Sequence, residues 1–402
     1  MRILFLFQIF DYKKSTIYLD LVRECRDRGH AVTVIAGNTD KSLPVGVVDV
    51  EGIRTVYMRL EDQFGAGSIK KAMIQMSIPG RIKSILKDAF NNETFDIIAY
   101  PTPPITLAPV LRYCKKHYKS AIRYLMLKDI FPQNAVDLGM FSSSGLIYRY
   151  YRRMEKQLYE YSDRIGCMSE ANIEYLKAHN PEIDNKKLEY FPNTAAVKEP
   201  AEDGADNSGP SGAADDGRLR IVFGGNMGRP QDVEGLLASI HECGKRADLA
   251  DVFFYFYGDG TESRKIEEYI EREKPANLIY RHQLPRDEYE KSLMNADVGM
   301  ISLADSFTIP NFPSRLLSYM QISKPVFAVT DAATDIPECI MEEAHCGYAV
   351  RAGSPEAFLD GIYWLKSHKK DLPGLGMNGR RYFERYFNVG VSADILERAY
   401  RG

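Results

Sequence analysis

No run of 18 apolar residues occurs in the 402-residue chain, so no segment is expected to span a membrane. Histidine is scarce, at seven, and no His-x-His or His-x-x-x-His pair is present, so no dedicated metal site is expected. The six cysteines (Cys25, Cys114, Cys167, Cys243, Cys339 and Cys346) show no zinc-ligand or redox spacing. They are expected to be buried, reduced thiols of a cytoplasmic protein. No G-x-G-x-x-G follows the first apolar run, where residues 8–15 read QIFDYKKS, and no P-loop is present. These absences argue against a nicotinamide dehydrogenase and against the common NTPases. The opening run, residues 2–7, is too short for a signal peptide, is followed by Asp11, Lys13 and Lys14, and lacks a small-residue cleavage site. It reads as a first β-strand.

What is present is an ordinary globular composition, 45% hydrophobic and 27% charged, in a chain long enough for two domains. Residues 196–217, AVKEPAEDGADNSGPSGAADDG, have no apolar period and are rich in Ala, Asp, Gly, Ser and Pro. They are expected to form a flexible linker between two domains, residues 1–195 and 218–388, with residues 389–402 returning to the first. The net charge of −3 is uneven: residues 1–195 carry 28 Lys and Arg against 22 Asp and Glu. A basic first half suits an anionic partner such as phosphate or a membrane surface, although so modest a bias also arises by chance.

Each half alternates strand with helix, the signature of a parallel sheet covered by helices. In the first half, strands are predicted over residues 2–7, 31–36, 96–100, 122–127 and 164–168. A helix is predicted over residues 16–28, with Ile17, Leu21, Val22 and Cys25 on one face and Gly29 beyond its end. The second half repeats the pattern: strands over residues 219–223, 252–257, 297–301 and 325–329, and a helix over residues 232–245. Residues 376–401 read as two helices broken near Asn388-Val389-Gly390.

Several segments, in order, carry a resemblance. Asp27-Arg28-Gly29-His30 runs into the second strand. Leu127-Lys128-Asp129-Ile130-Phe131-Pro132-Gln133 follows a later one. Cys167-Met168-Ser169 and Phe191-Pro192-Asn193 close the first half. Gly224-Gly225-Asn226-Met227-Gly228, Tyr257-Gly258-Asp259-Gly260, the run from Phe312 to Met320, and Lys324-Pro325-Val326 mark the second. Together they resemble the bacterial family 4 glycosyltransferases, and most of all the subgroup that adds sugars to lipid-linked precursors of capsule or O-antigen. The resemblance implies an α/β protein of GT-B architecture: two Rossmann-like domains with parallel sheets facing across a cleft, and a C-terminal helix crossing back to the first domain. It implies a retaining, metal-independent enzyme with no cofactor. Its donor would be a nucleotide sugar, UDP-linked and N-acetylated or deoxy in its sugar. Its acceptor would be a polyprenyl-diphosphate-linked saccharide at the inner face of the cytoplasmic membrane, and nucleic acid would not be a partner.

Candidate residues follow from the matched positions. The departing nucleoside diphosphate is an anion, so the second domain needs cations and free N–H groups. Arg229 and Arg315 are the candidate phosphate clamps; the bland readings are a loop charge and a solvated helix-end arginine. Pro313 and Ser314 would open and cap the donor helix, and Phe312 and Tyr319 flank it. Gly225, Asn226, Asp259 and His282 complete the donor side, His282 as a neighbour of the base rather than a catalytic group. In the first domain Asp129 would accept a hydrogen bond from a sugar or acceptor hydroxyl, or orient Lys128 towards phosphate. The alternative is a structural Lys128–Asp129 ion pair. Lys13, Lys14 and Ser15 are candidates on the acceptor or phosphate side.

The chain departs from the wider family in two places. The family's two glutamates, with seven residues between them, are replaced by Pro310 and Ser318, and its Lys after the phosphate-side Arg gives way to Gln231-Asp232. Two readings of another class therefore stand: a non-catalytic nucleotide-sugar-binding subunit, and a nucleotide-sugar 2-epimerase, which would need acid/base groups that the sequence does not show. Finally, residues 69–90 and 148–161 mix Lys and Arg with large apolar or Tyr residues, as helices at a membrane interface do, and as helices packed on a sheet also do.

Overall fold

A computed structural model of the protein describes residues 1–13, 16–40, 43, 45–61, 68–198 and 216–402, with side chains other than those of 68–72 and 286–287. The chain forms two compact units, Met1–Ala196 with Asn388–Gly402, and Val197–Phe387. Of the expected linker, residues 199–215 lie outside the described residues.

The first unit runs β1 (Arg2–Ile9), α1 (Ile17–Asp27), β2 (Ala31–Asn38), β3 (Gly46–Val50), β4 (Ile53–Arg59), α2 (Ser68–Ala89), β5 (Ile97–Pro101), α3 (Ala108–His117), β6 (Ile122–Leu127), α4 (Gln133–Asp137), α5 (Leu146–Tyr161), β7 (Arg164–Cys167), α6 (Glu170–His179) and β8 (Leu188–Tyr190). Its eight strands lie in the order β3-β4-β2-β1-β5-β6-β7-β8. All pairs are parallel except β3–β4, an antiparallel hairpin at the edge. β5 is buried throughout, as a strand covered on both faces must be. Thr16 caps α1 by accepting from the Leu19 N–H, and Gly29, at φ +80°, ends it. The Gly29 N–H reaches Arg26 O and the His30 N–H reaches Cys25 O, the paired bonds of a left-handed helix stop.

The second unit runs β9 (Leu219–Gly224), α7 (Val233–Gly244), β10 (Val252–Tyr257), α8 (Ser263–Glu273), β11 (Leu278–Arg281), α9 (Arg286–Met294), β12 (Val298–Ser302), α10 (Arg315–Gln321), β13 (Val326–Thr330), α11 (Ile336–Glu338), β14 (Gly347–Arg351), α12 (Pro355–Ser367) and α13 (Leu372–Tyr382). Its sheet is wholly parallel, in the order β11-β10-β9-β12-β13-β14. In both sheets the first strand is central and the chain winds outwards in both directions, so the order reverses beside β1 and beside β9. Loops leaving the C-terminal ends of the strands at such reversals are where α/β sheets bind ligands.

The chain ends in α14 (Val389–Arg401), which belongs to the first unit. Val389, Ala393, Ile395, Leu396 and Ala399 join the same core as Leu21, Val22 and Cys25 of α1. Arg28 Nη1 meets Asp394 at 2.5 Å and Glu397 at 3.2 Å, and its Nη2 donates to Gly390 O. His30 Nε2 lies 3.1 Å from Glu397. The Arg-Gly-His segment thus seats α14. All six cysteines are buried, and none is in a disulfide.

Candidate active-site residues

In the second unit the loops after β9 and β10 pack backbone against backbone. The Gly225 N–H donates to Tyr257 O at 2.9 Å, Met227 N–H to Asp259 O at 3.0 Å, and Glu262 N–H to Met227 O at 2.9 Å. A Cβ on Gly258 would stand 1.9 Å from Gly225 O, and one on Gly260 2.3 Å from Met227 O. The Gly-Asp-Gly motif therefore needs its glycines for this loop-to-loop approach. Gln231 braces the same loop: its Oε1 accepts from Asn226 Nδ2 and from the Gly228 N–H. No sequence signal marked that role, because Gln231 appeared only as the replacement for a missing lysine.

Arg315 lies against this loop. Its Nη2 donates to Asn226 O at 3.2 Å, and its guanidinium sits 4.4 Å from the centre of the Phe223 ring. Nη1 is buried and bonds to no group among the described residues. Burial among Phe223, Tyr289 and Tyr319 pulls its pKa down, and no carboxylate among the described residues compensates the charge. Gly225, at φ +103°, makes room: a Cβ there would meet Arg315 Nη2 at 3.4 Å. Arg229 differs. It is exposed, and its nearest acid, Glu262, is 3.8 Å away.

Three expectations for the helix after these loops are corrected. α10 has only seven residues, and Ser314, at its N-cap position, makes no side-chain capping bond, so the dipole contribution there is small. Tyr319 is fully buried; its hydroxyl donates to Met300 O at 3.1 Å and lies 3.4 Å from the Gly224 N–H, which ties β9 to β12 instead of facing a ligand. Phe312 is buried against Phe387, with ring centres 5.8 Å apart. Pro313, between Phe312 and the exposed Ser314, is half-buried.

Asp259 and His282 are brought together. Asp259 Oδ1 meets His282 Nδ1 at 2.5 Å, Oδ2 accepts from the Gln283 N–H at 2.8 Å, and His282 Nε2 lies 3.1 Å from Glu267. The hydrogen bond with Asp259 raises the His282 pKa, and the same bond lowers that of Asp259. Both ring nitrogens are engaged, so His282 pins the loop after β11 to the loop after β10.

In the first unit β6 delivers Lys128 and Asp129 to the C-terminal edge of the sheet. The Thr102 hydroxyl, just beyond β5, accepts from both backbone N–H groups, at 2.9 and 3.1 Å. The alternative, a Lys128–Asp129 ion pair, is not formed, and Lys128 is not oriented by Asp129 either. Lys128 Nζ turns to Phe191 O and Pro192 O, each at 3.2 Å, and lies 4.9 Å from the Phe191 ring. Burial without an anion holds its pKa down to about 7. Asp129 has no cation or hydrogen-bond donor on its carboxylate among the described residues, and burial raises its pKa to about 6. Lys13 approaches Asp40 at 3.7 Å; Lys14 and Ser15 lie outside the described residues. Among the described residues, no group of three or more His, Cys, Asp or Glu could hold a metal ion, and no helix is long and apolar enough to cross a membrane.

Comparison with known proteins agrees with this architecture. The model of glycosyltransferase family 4 matches residues 15–197, and that of glycosyl transferases group 1 matches residues 218–368. The probable glycosyltransferase WbjE of Pseudomonas aeruginosa is 27% identical over 309 residues, 74% of this chain and 72% of that protein. Sucrose-phosphate synthase from Thermosynechococcus elongatus superposes with a TM-score of 0.78 at 15% identity, over 100% of this chain and 98% of that one. HepE of Anabaena, solved with UDP-glucose, gives 0.67 at 13% identity over the whole of both chains. Two parallel sheets that each reverse beside their first strand, glycine loops at the second reversal, and a family match on each half identify the chain as a family 4 glycosyltransferase of the GT-B fold.

Proposed function

We propose that the protein transfers a sugar, N-acetylated or deoxy, from a UDP-sugar to a hydroxyl of a saccharide carried on polyprenyl diphosphate, in the synthesis of a cell-surface polysaccharide. The transfer is metal-independent and retains the anomeric configuration. The observation that carries this reading is Arg315: a guanidinium held beside a glycine turn, at the reversal point of the second sheet, with its charge uncompensated. A site of that kind suits a diphosphate, whose oxygens replace the missing acceptor. In the reaction the bond from the anomeric carbon to the diphosphate oxygen breaks, and its electron pair leaves on the diphosphate. The acceptor oxygen forms the new bond, and its proton passes to the departing diphosphate oxygen. Arg315, aided by the exposed Arg229, stabilises the departing anion. Asp129, ionised and unpaired, accepts a hydrogen bond from a hydroxyl on the acceptor side. A lipid-borne acceptor requires the enzyme to work at a bilayer surface.

Pro310 and Ser318, which stand where the wider family has glutamates, favour one other reading, a nucleotide-sugar-binding subunit without turnover. A thermal-shift screen of nucleotides and nucleotide sugars tests the donor. UDP is expected to raise the melting temperature, and one UDP-sugar to raise it further; a ligand at a hundred times its Kd adds about 2.7 kcal/mol to stability. No shift with any uridine nucleotide refutes the UDP donor. A shift without turnover over a panel of lipid-linked acceptors selects the non-catalytic reading.

A further inference from the structure

Two consecutive glycines, Gly224 at the end of β9 and Gly225 after it, each leave room for one side chain from elsewhere. A Cβ on Gly225 would meet Arg315 Nη2 at 3.4 Å. A Cβ on Gly224 would stand 2.0 Å from the hydroxyl oxygen of Tyr289 and 2.7 Å from its Cζ. The phenol of Tyr289 therefore fills the space in which any other residue at 224 would begin its side chain. That space lies where the strand order of the second sheet reverses. Gly225 has a positive φ, whereas Gly224 does not, so the backbone alone gives no reason for glycine at 224. The reason is the phenol.

Tyr289 reaches this point from α9. The crossovers from β11 through α9 to β12, and from β12 through α10 to β13, run in the same direction, so α9 and α10 lie on one face of the sheet. Tyr289 on one helix and Arg315 on the other converge at the end of β9. Burial pushes the phenol pKa well up, against the pull of the Arg315 charge, so Tyr289 stays a neutral donor through the physiological range. Its ring packs edge-on against Tyr257, with centres 6.5 Å apart. A phenylalanine would pack there as well. The hydroxyl is the part without a structural task. Nearby, Tyr319 donates to Met300 O and Tyr280 to Gly258 O, but the Tyr289 hydroxyl bonds to no group among the described residues.

We propose that the Tyr289 hydroxyl is a second donor to the diphosphate that Arg315 takes, and that Gly224 is what admits it. Two donors from two helices, seated on adjacent residues of one turn, suit two oxygens of a diphosphate. The guanidinium supplies the charge, and the phenol supplies a directed, neutral hydrogen bond. The pairing explains why two glycines are spent side by side and why a half-buried hydroxyl is left without a partner in the protein. The assignment rests on the reading of Arg315 given above.

Calorimetric titration of the full chain with UDP, and separately with inorganic pyrophosphate, tests it. Tyr289→Phe keeps the ring and is expected to weaken both ligands by about tenfold or more. The melting temperature of the free variant should be unchanged or higher, because the lost hydroxyl bonds to nothing in the protein. Gly224→Ala displaces the phenol and should weaken UDP at least as much. Wild-type affinity for UDP in Tyr289→Phe, or in a folded Gly224→Ala protein, overturns the proposal. So does an affinity loss in Tyr289→Phe that comes with a fall of several degrees in melting temperature, which would assign Tyr289 to packing. Failure of the donor reading looks different: wild type that binds pyrophosphate but no uridine nucleotide refutes UDP alone, and the pyrophosphate titrations still decide on Tyr289. Wild type that binds neither overturns both.

Discussion

The C-terminal edges of the two sheets mirror each other in charge. At the first, β6 leaves an acid unneutralised: Asp129 has no cation among the described residues, because the neighbouring Lys128 turns to two backbone carbonyls. At the second, Arg315 is a cation with no acid among the described residues; Phe223, Tyr289, Tyr319, Gly225 and Asn226 surround it. Arg123 and Arg220, by contrast, are buried and paired, with Asp163 and Asp216. An unpaired buried charge costs stability. Asp129 and Arg315, each at the C-terminal edge of a sheet, are the groups to which the proposed function gives a partner from outside.

Removing the cation should have the largest effect. Arg315→Met keeps most of the packing on Phe223 and is expected to lower kcat/KM by about 10²–10³, with an unchanged or higher melting temperature. Steady-state kinetics and calorimetry on one preparation check both; a wild-type kcat/KM would assign Arg315 to the fold alone. Asp129→Asn comes next, at about 10²-fold in kcat. Wild-type activity should fall as pH drops through about 6, where the carboxylate takes up its proton. For stability the sign is opposite. The native carboxyl holds its proton more tightly than the unfolded one, so stability is lost as pH rises from the ordinary carboxylate range to about 6. The Asn variant escapes that loss and should be more stable at neutral pH, by about 1–3 kcal/mol. A variant with the wild-type acid limb would remove Asp129 from the reaction.

The smallest effect is expected at Asp259, whose job is shared with backbone bonds. Asp259→Asn should raise the donor KM by about threefold or less and leave kcat alone. Because the bond to Asp259 raises the His282 pKa, the charged form of this pin is complete at low pH and is lost as pH rises through that raised value. Donor KM in the wild type should therefore climb with pH, and the variant should show a flat profile.

The strands that form the middle of each sheet were legible because they are buried on both faces and read as continuous apolar runs: β1, β6, β9 and β10 lie within three residues of the expected bounds. Edge strands were not. β3 is half-exposed and pairs only with its hairpin partner, while β8, β11 and β14 are short and partly wet, so their composition does not separate them from loops. In the site, Asp129 was legible from its place after an apolar strand and a resemblance. The inward turn of Lys128, the burial of Tyr319 and the aromatic setting of Arg315 were not, since the direction of a side chain at the end of an element depends on contacts from distant segments. The Asp129 and Arg315 contrast is thus a product of the fold: Phe191 claims the lysine from 63 residues away, and Asn226 claims the arginine from 89.

One bridge has a consequence for how the molecule is made. Ala195 pairs with Asn388, and the Val389 N–H donates to Ala195 O at 2.9 Å, so the chain leaves the first unit and re-enters it at a single point. The residues after that point share the core of α1 and cover its apolar face. During synthesis the second unit emerges whole and can fold while the first still waits for α14. The half begun first is finished last. A fragment ending near residue 196 should expose an apolar stripe along α1 and aggregate, whereas one spanning residues 216–387 carries its whole core within one stretch of chain.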